Sequence, residues 1–503
     1  MKQKILFWLG HDFIHFGLAY NLKKYEELEY FAIGDVNEKI ENFLLEQKMV
    51  DFKKIWFFNN YELEKPDLEY LKNFEDRYKI NLWHVISTER LFYKKWNRFY
   101  EFSPEQILSI IERECRFFEK ILEEVKPDFF LTNIITQHQT YLLYKMCQSK
   151  GIPVLSLSTV RFGDRAMVTE GLVWESDIEE NFEPEKFPQK NSEEINEFIN
   201  NYKPRKFYET VGQEFSSYKI SKTKKIKAFF KFLFFSKKPS KQYVNFGRSK
   251  WNILIKGTRI GNIINRRIKE IRLNKKFIYK IDKNEKFIYF PLHVEPETVL
   301  LFGAPYYTDQ IAMIRNITKS IPFEYKLYVK DHPAMWEASW RKKSFYEELE
   351  NMPNVVLIHP SIKSEKIIKL SSLVITIRGT ASLEAAFYNK PSILMRSDMG
   401  QSLIPSISIL KNLDELPMVI NESLKKNVKL EDLSDYLNFI QQISFEFPNE
   451  HLSYEVARRF NYTVGYLNEE SITETMVKSF LNDYQNIFDN VTKAYLNKMK
   501  TKK

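Results

Sequence analysis

"VITIRGTASLEAAFYNKPSIL" (residues 374–394) reads as a buried strand, a sharp turn, a short helix and a second strand. Apolar and β-branched residues run to Ile377, and Arg378-Gly379 breaks the run. Gly379 permits a tight turn. Thr380 and Ser382 place hydroxyls around a helix start, where backbone N–H groups lack intrahelical partners and the dipole is positive. Such an end suits an anion. Ala381, Ala385 and Ala386 keep the helix slim, so it can lie close to a sheet or a ligand. Glu384 is the odd residue. A capping box needs Ser or Thr three positions earlier; Ala381 stands there, which leaves the carboxylate for other hydroxyls, such as those of a sugar. Taken alone, the turn favours the plainer reading of a capped helix whose acid suits the dipole.

The same alternation continues outward. Strands are expected at 287–292, 326–330, 355–359, 373–377 and 392–395, with helices at 308–320, 345–350, 365–370 and 382–388. A looser version fills the first 160 residues, with strands at 5–9, 30–33, 55–58, 128–132 and 153–158 and helices at 104–125 and 140–149. Strands alternating with helices give mostly parallel sheets covered by helices. The expected fold is α/β: two Rossmann-like domains (1–176 and 284–412) facing a central cleft. Residues 177–283 form a connector and basic helical insert, and 413–503 a helical tail whose Lys-rich end frays. Ligands of such sheets bind beyond the carboxyl ends of the strands.

Two further strand ends carry chemistry. "KLYVKDHP" (326–333) brings His332 to the rim that holds Thr380, as a phosphate partner or proton donor. "FPLHVEPE" (290–297) puts His293, Glu295 and Glu297 on one side of an extended segment. His293 and Glu295 are the candidate catalytic residues, and Lys330 and Arg378 the candidate charges for a leaving nucleotide. His11 and Asp12, just beyond the first strand, and His138 in "TQHQT" are candidates on an acceptor side. No Asp-x-Asp pair follows an apolar strand, so neither a metal-bound diphosphate nor a cofactor is expected. Walker, dinucleotide and nucleophile-elbow motifs do not occur.

Composition bounds the setting. Of 503 residues, 44% are hydrophobic and 28% charged, as in ordinary globular proteins. Cys115 and Cys147 suggest neither a disulfide framework nor a zinc site, which fits the cytoplasm. The apolar run at 5–9 is short and is followed by His11 and Asp12, so it reads as a strand and not a leader. The net charge of +10 hides an asymmetry: 219–283 carries 21 basic residues against two acids, and the rest of the chain is net acidic. Within "KTKKIKAFFKFLFFSKKPSK" (222–241), Ile226, Phe229, Phe230, Leu233 and Phe234 share one helical face. Such a segment can lie on an anionic membrane surface, which places the protein peripherally on the inner face of the cell membrane. The plainer alternative is a buried aromatic helix pair. Nucleic acid is not expected as a partner, because the remainder is acidic and no recognition motif appears.

"YFPLHVEPE", "YTDQ", "YVKDHP" and "TIRGTASLEAAFYNKPSI" occur in that order between 287 and 395. Together they resemble the bacterial capsule and surface polysaccharide biosynthesis proteins, which are similar to glycosyltransferases of the two-Rossmann (GT-B) type, among them the retaining Kdo transferases. "KPDFFLTNIITQHQTYLLYKMCQSKGIPVLSLSTVRFGDR" (126–165) is also similar to the family. The resemblance implies that His332-Pro333, Thr380 and Ser382 hold nucleotide phosphates and that Glu384 holds the ribose. It also implies a nucleotide-sugar donor and a polysaccharide or lipid-linked acceptor, in a transferase that needs no metal. A sugar-nucleotide epimerase or a non-catalytic capsule assembly or export adaptor would share the fold.

Overall fold

The computed structural model describes the chain except residues 1, 26, 58–62, 95, 98, 161, 174–178, 180–181, 202–229, 231–242, 250–251, 253–272, 339–340, 398, 461–470 and 503. The first domain contributes β1 (Gln3–Leu9), β2 (Leu28–Gly34), β3 (Phe52–Phe57), β4 (Phe129–Asn133), β5 (Val154–Thr159) and β6 (Arg165–Glu170). The second contributes β7 (Phe287–Pro291), β8 (Lys326–Lys330), β9 (Val355–Ile358), β10 (Leu373–Thr376), β11 (Ser392–Leu394) and β12 (Ile407–Ile409). A two-residue strand, β13 (Phe445–Glu446), returns to the first sheet.

The first sheet has the order β13-β6-β5-β4-β1-β2-β3, and the second β12-β11-β10-β7-β8-β9. Pairing from β1 to β5 is parallel, β6 and β13 add an antiparallel edge, and the second sheet is parallel throughout. Parallel strands need both faces covered. Accordingly Ile5, Phe7 and Leu9 enter one core and Leu6 and Trp8 another. In β7, Ile288 and Phe290 face one layer, and Phe287 and Tyr289 the other. The chain thus has two Rossmann-like domains, as the alternation implied.

The tail departs from expectation. Helices Leu416–Ser423 and Ser434–Ile443 pack with the second domain. Helices Asn449–Phe460, Glu474–Asp483 and Gln485–Lys500 instead cross back and cover one face of the first sheet, with Phe460, Phe480, Phe488, Val491 and Tyr495 in the same core as Ile5 and Phe7. Gly17 shows how closely they pack: a Cβ there would lie 2.3 Å from Phe488 Cε1 and 2.7 Å from Leu481 Cδ2. The end expected to fray is therefore ordered, because Tyr495 and Met499 are buried. Expecting one helical region over 413–503 missed this division.

The domains meet along a seam. Leu301 and Phe302, which follow the first strand of the second domain, enter the first domain's core beside Leu82, Val85 and Tyr141. Phe302 meets Tyr141 edge-on at 5.6 Å. Phe162 of the first domain and Phe182 of the connector share a core with Leu383, Phe387 and Tyr436. The segment 222–241 expected to dock on membranes lies outside the described residues except for Phe230, which is exposed. Among the described residues no helix is long and apolar enough to cross a membrane.

Candidate functional site

Strands β10, β7 and β8 are neighbours in the second sheet, so their carboxyl ends deliver three polar groups to one rim. His293 follows β7. Its N–H donates to Gln310 Oε1 (2.7 Å), and its carbonyl accepts from Gln310 Nε2 (3.2 Å) and from Arg341. Its Nε2 accepts from the Arg378 N–H at 3.4 Å. That assignment leaves the ring proton on Nδ1, which faces the Glu297 carboxylate at 3.6 Å.

The turn after β10 is closed by side chains. Thr376 Oγ1 accepts from the Gly379 N–H (3.1 Å). A Cβ on residue 379 would stand 2.5 Å from that oxygen and 3.6 Å from His293 Cε1. Glycine is required here for space; Gly379 is not among the positive-φ residues. Thr380 Oγ1 donates to Glu384 Oε1 (2.9 Å), so the carboxylate expected to be available already has one partner. Burial raises the Glu384 pKa, against the Thr380 hydrogen bond and nearby Lys330. Lys330 Nζ donates to Ser364 Oγ (2.8 Å). Burial lowers the Lys330 pKa to about 8, with Glu384 pulling the other way, so the ammonium form still dominates at neutral pH. His332 Nδ1 accepts from the Ala334 N–H (3.1 Å), and burial lowers its pKa.

Two layers result. Gly379, Thr380, Glu384 and His332 are partly exposed at the rim, while Lys330, His293 and Arg378 lie buried beneath. Four expectations need correction. Ser382 is fully buried, with its hydroxyl on Gly379 O (2.9 Å) and the Gln401 amide (2.5 Å), so it braces the turn and does not face a phosphate. Arg378 is 1% exposed, so its charge lies below the rim and not on it. Glu295 is tied to Arg341 (2.9 Å) and Gln310 (2.9 Å), which suits a positioning role better than proton transfer. The fourth is His138, on the first domain.

Arg341, absent from the sequence reading, is the centre of this substructure. It is 5% exposed and joins Glu295 to Asp331, whose two oxygens each lie 3.2 Å from its Nε. Tyr346 Oη donates to the same carboxylate. The network fixes the loop after β7 against the loop after β8.

On the first domain, His11 and Asp12 do lie beyond β1. Asp12 accepts from the Ile14 N–H (3.0 Å) and from Asn133. Phe13, in the left-handed region at φ 59°, turns the chain there, and its ring is held 4.6 Å from Phe460. Burial raises the Asp12 pKa and lowers that of His11 to about 4. His138 is wholly buried between Glu89 (2.8 Å) and Glu114 (2.9 Å), so it cannot touch an acceptor. Asp35, at the end of β2, was missed; burial raises its pKa, opposed by a hydrogen bond from Gln137. Among the described residues, no group of three His, Cys, Asp or Glu stands close enough to hold a metal.

Two Rossmann-like sheets with polar groups gathered beyond parallel strand ends define the GT-B arrangement. Residues 184–395 match the family model described as capsule polysaccharide biosynthesis protein, so the resemblance read from the motifs is borne out over that segment. No curated protein matches the chain. Among solved structures, the Thermosulfurimonas dismutans KpsC, a β-Kdo 2,7 transferase, is 13% identical over 71% of this chain and 87% of its own, with a TM-score of 0.29. The Anabaena protein Alr3699/HepE, solved with UDP and glucose, is 10% identical over 91% and 99%, with a TM-score of 0.27. The Neisseria meningitidis UDP-GlcNAc 2-epimerase is 12% identical over 88% and 99%, at 0.26.

Proposed function

We propose that this chain is a glycosyltransferase that moves a sugar from a nucleotide-sugar donor to a growing capsule or surface polysaccharide, or to its lipid-linked primer. The observation that supports this reading is the convergence of His332, Thr380 and Glu384 on one rim beyond β8 and β10, with Lys330 buried just beneath. In the reaction, the bond between the anomeric carbon and the donor's phosphate oxygen breaks, and the acceptor hydroxyl oxygen forms the new bond to that carbon. Negative charge grows on the departing phosphate. Lys330 and Arg378 oppose it from beneath without a metal, His332 and Thr380 meet its oxygens, and Glu384 accepts from the ribose hydroxyls. His293, fixed just beneath the rim by Gln310 and Arg341, is the catalytic candidate on this domain. Asp12, on the other domain, is the base offered for the acceptor hydroxyl; its raised pKa suits proton uptake.

Calorimetric titration with CMP, UDP, GDP and their sugars tests the donor site. His332→Ala and Thr380→Ala should each weaken binding by roughly 1–3 kcal/mol, the range for hydrogen bonds to charged groups. Unchanged affinity in both variants would sink the assignment. Transfer to an acceptor separates this reading from an epimerase, which needs none, and from an adaptor, which transfers nothing.

The insert at 222–241 is assigned to the membrane on its sequence: eight lysines around an aromatic face, within the strongly basic 219–283 of an otherwise acidic chain. Sedimentation with liposomes should show binding that needs anionic lipid and weakens with salt, because screening acts on the lysines and not on the phenylalanines. Binding indifferent to lipid charge would assign the lysines elsewhere.

A further inference from the structure

Two large aromatic side chains stand in solvent where the domains meet. Trp83 is 59% exposed on helix Leu82–Thr88, and Tyr306 is 89% exposed on the 3₁₀ turn Pro305–Tyr307. Neither has a ring or hydrogen-bond partner among the described residues. They flank the seam. Helix Leu82–Thr88 turns Leu82, Val85 and Ile86 into the first domain's core, and Leu301 and Phe302, just before the 3₁₀ turn, enter that same core. Helix Thr298–Leu301 packs directly beside helix Leu82–Thr88. The aromatic surface continues along the first domain. Ser87 lies one helical turn from Trp83, on the same outward face, and its carbonyl accepts from Tyr93 Oη (3.1 Å). The Tyr93 ring lies 4.8 Å from Trp96. On the other side, the turn bearing Tyr306 leads within four residues to Gln310, which holds the His293 backbone. The segment that carries Tyr306 therefore runs on directly to the residue that braces the candidate donor rim.

Scattered exposed apolar residues need no explanation. Here, however, exposed rings stand on elements of both domains that meet at one seam, Trp83 on helix Leu82–Thr88 and Tyr306 on the turn that packs against helix Thr298–Leu301. Flat aromatic faces carry negative charge density and meet the C–H faces of sugar rings, while hydroxyls around the ring edges remain in water. Tyr and Trp do this at low conformational cost, since each has two side-chain torsions to fix.

We infer that Trp83 and Tyr306, with Tyr93 extending the row, form a subsite that holds the glycan acceptor across the domain seam. This rests on the glycosyltransferase reading above. The row presents its acceptor toward the rim of His293 and Thr380, and because the rings belong to two domains it also couples acceptor binding to how the domains sit.

The test uses the full chain and an array of purified bacterial capsular and O-antigen polysaccharides. Trp83→Ala, Tyr306→Ala and their double variant are compared with Trp83→Phe and Tyr306→Phe. The alanine variants should lose at least tenfold in apparent affinity for the glycan the parent retains, and the phenylalanine variants less than threefold. Nucleotide-induced thermal shifts with CMP and UDP should be unchanged throughout. Glycan binding that survives the double alanine variant overturns the inference. So does a parent that binds nucleotide but no glycan on the array, an outcome that leaves the donor site standing. Loss of nucleotide response in the parent fails the wider reading instead. Light scattering closes the alternative: if Trp83→Ala dissociates a dimer and leaves glycan binding intact, the row is an interface between copies and the inference is wrong.

Discussion

Arg341→Leu is expected to lower the unfolding free energy by about 3–5 kcal/mol, the range seen when one partner of a buried ion pair is removed. The guanidinium is 5% exposed and stands between the carboxylates of Asp331 and Glu295. Without it, two like charges face each other in a place of low dielectric, and the His293 carbonyl loses a donor. The penalty belongs to the stranded acids and not to Arg341 alone. Replacing Arg341, Asp331 and Glu295 together with Leu should therefore recover most of the loss. Urea denaturation of the single and triple variants decides this. A single variant that costs less than about 1 kcal/mol, as exposed pairs do, would mean that water reaches the network.

The second large effect lies in the first domain. His138→Gln should destabilise by about 3–5 kcal/mol near neutral pH, because Glu89 and Glu114 then share a buried site without a cation. The pH dependence distinguishes this from lost packing. Burial by itself would lower the His138 pKa, but Glu114 and Glu89 raise it to about 10. A pKa raised above its unfolded value of about 6.5 means the folded state holds the proton more tightly. The contribution is thus full below that unfolded value and disappears as pH rises through the folded one. Melting of parent and variant from pH 6 to 10 should show the gap closing on the alkaline side. A constant gap would make His138 a neutral packing residue.

How far the sequence could be read differs along the chain for physical reasons. In the second domain nearly every strand was placed to within a residue, because each is a short apolar run fenced by polar turns; β8 agrees at both ends. The antiparallel edge was not visible. β6 and β13 are separated by more than 270 residues, and nothing local in "RAMVTE" names Phe445 as a partner. Lys330, His332 and Thr380 could be grouped because strand ends share a rim whatever their order. Arg341 could not, since its role depends on which loop folds over which. His138 was misplaced because position at a strand end was taken to mean exposure. A signal was present: Glu114 sits among Ile110, Ile111, Cys115 and Phe118 on the buried stripe of helix Pro104–Val125. An acid on an apolar stripe requires a buried partner.

The return of the last helices to the first sheet has a consequence for synthesis. Domains commonly fold as they leave the ribosome, amino-terminal domain first. Here the second domain receives its six strands by residue 409, while the first still lacks β13 and the helices carrying Phe480, Phe488 and Tyr495. One face of the earlier-made sheet stays uncovered until the helices at 449–500 have followed the second domain out. A stop codon ahead of Phe480 would therefore damage a sheet made more than 300 residues earlier, while sparing the six strands of the second domain.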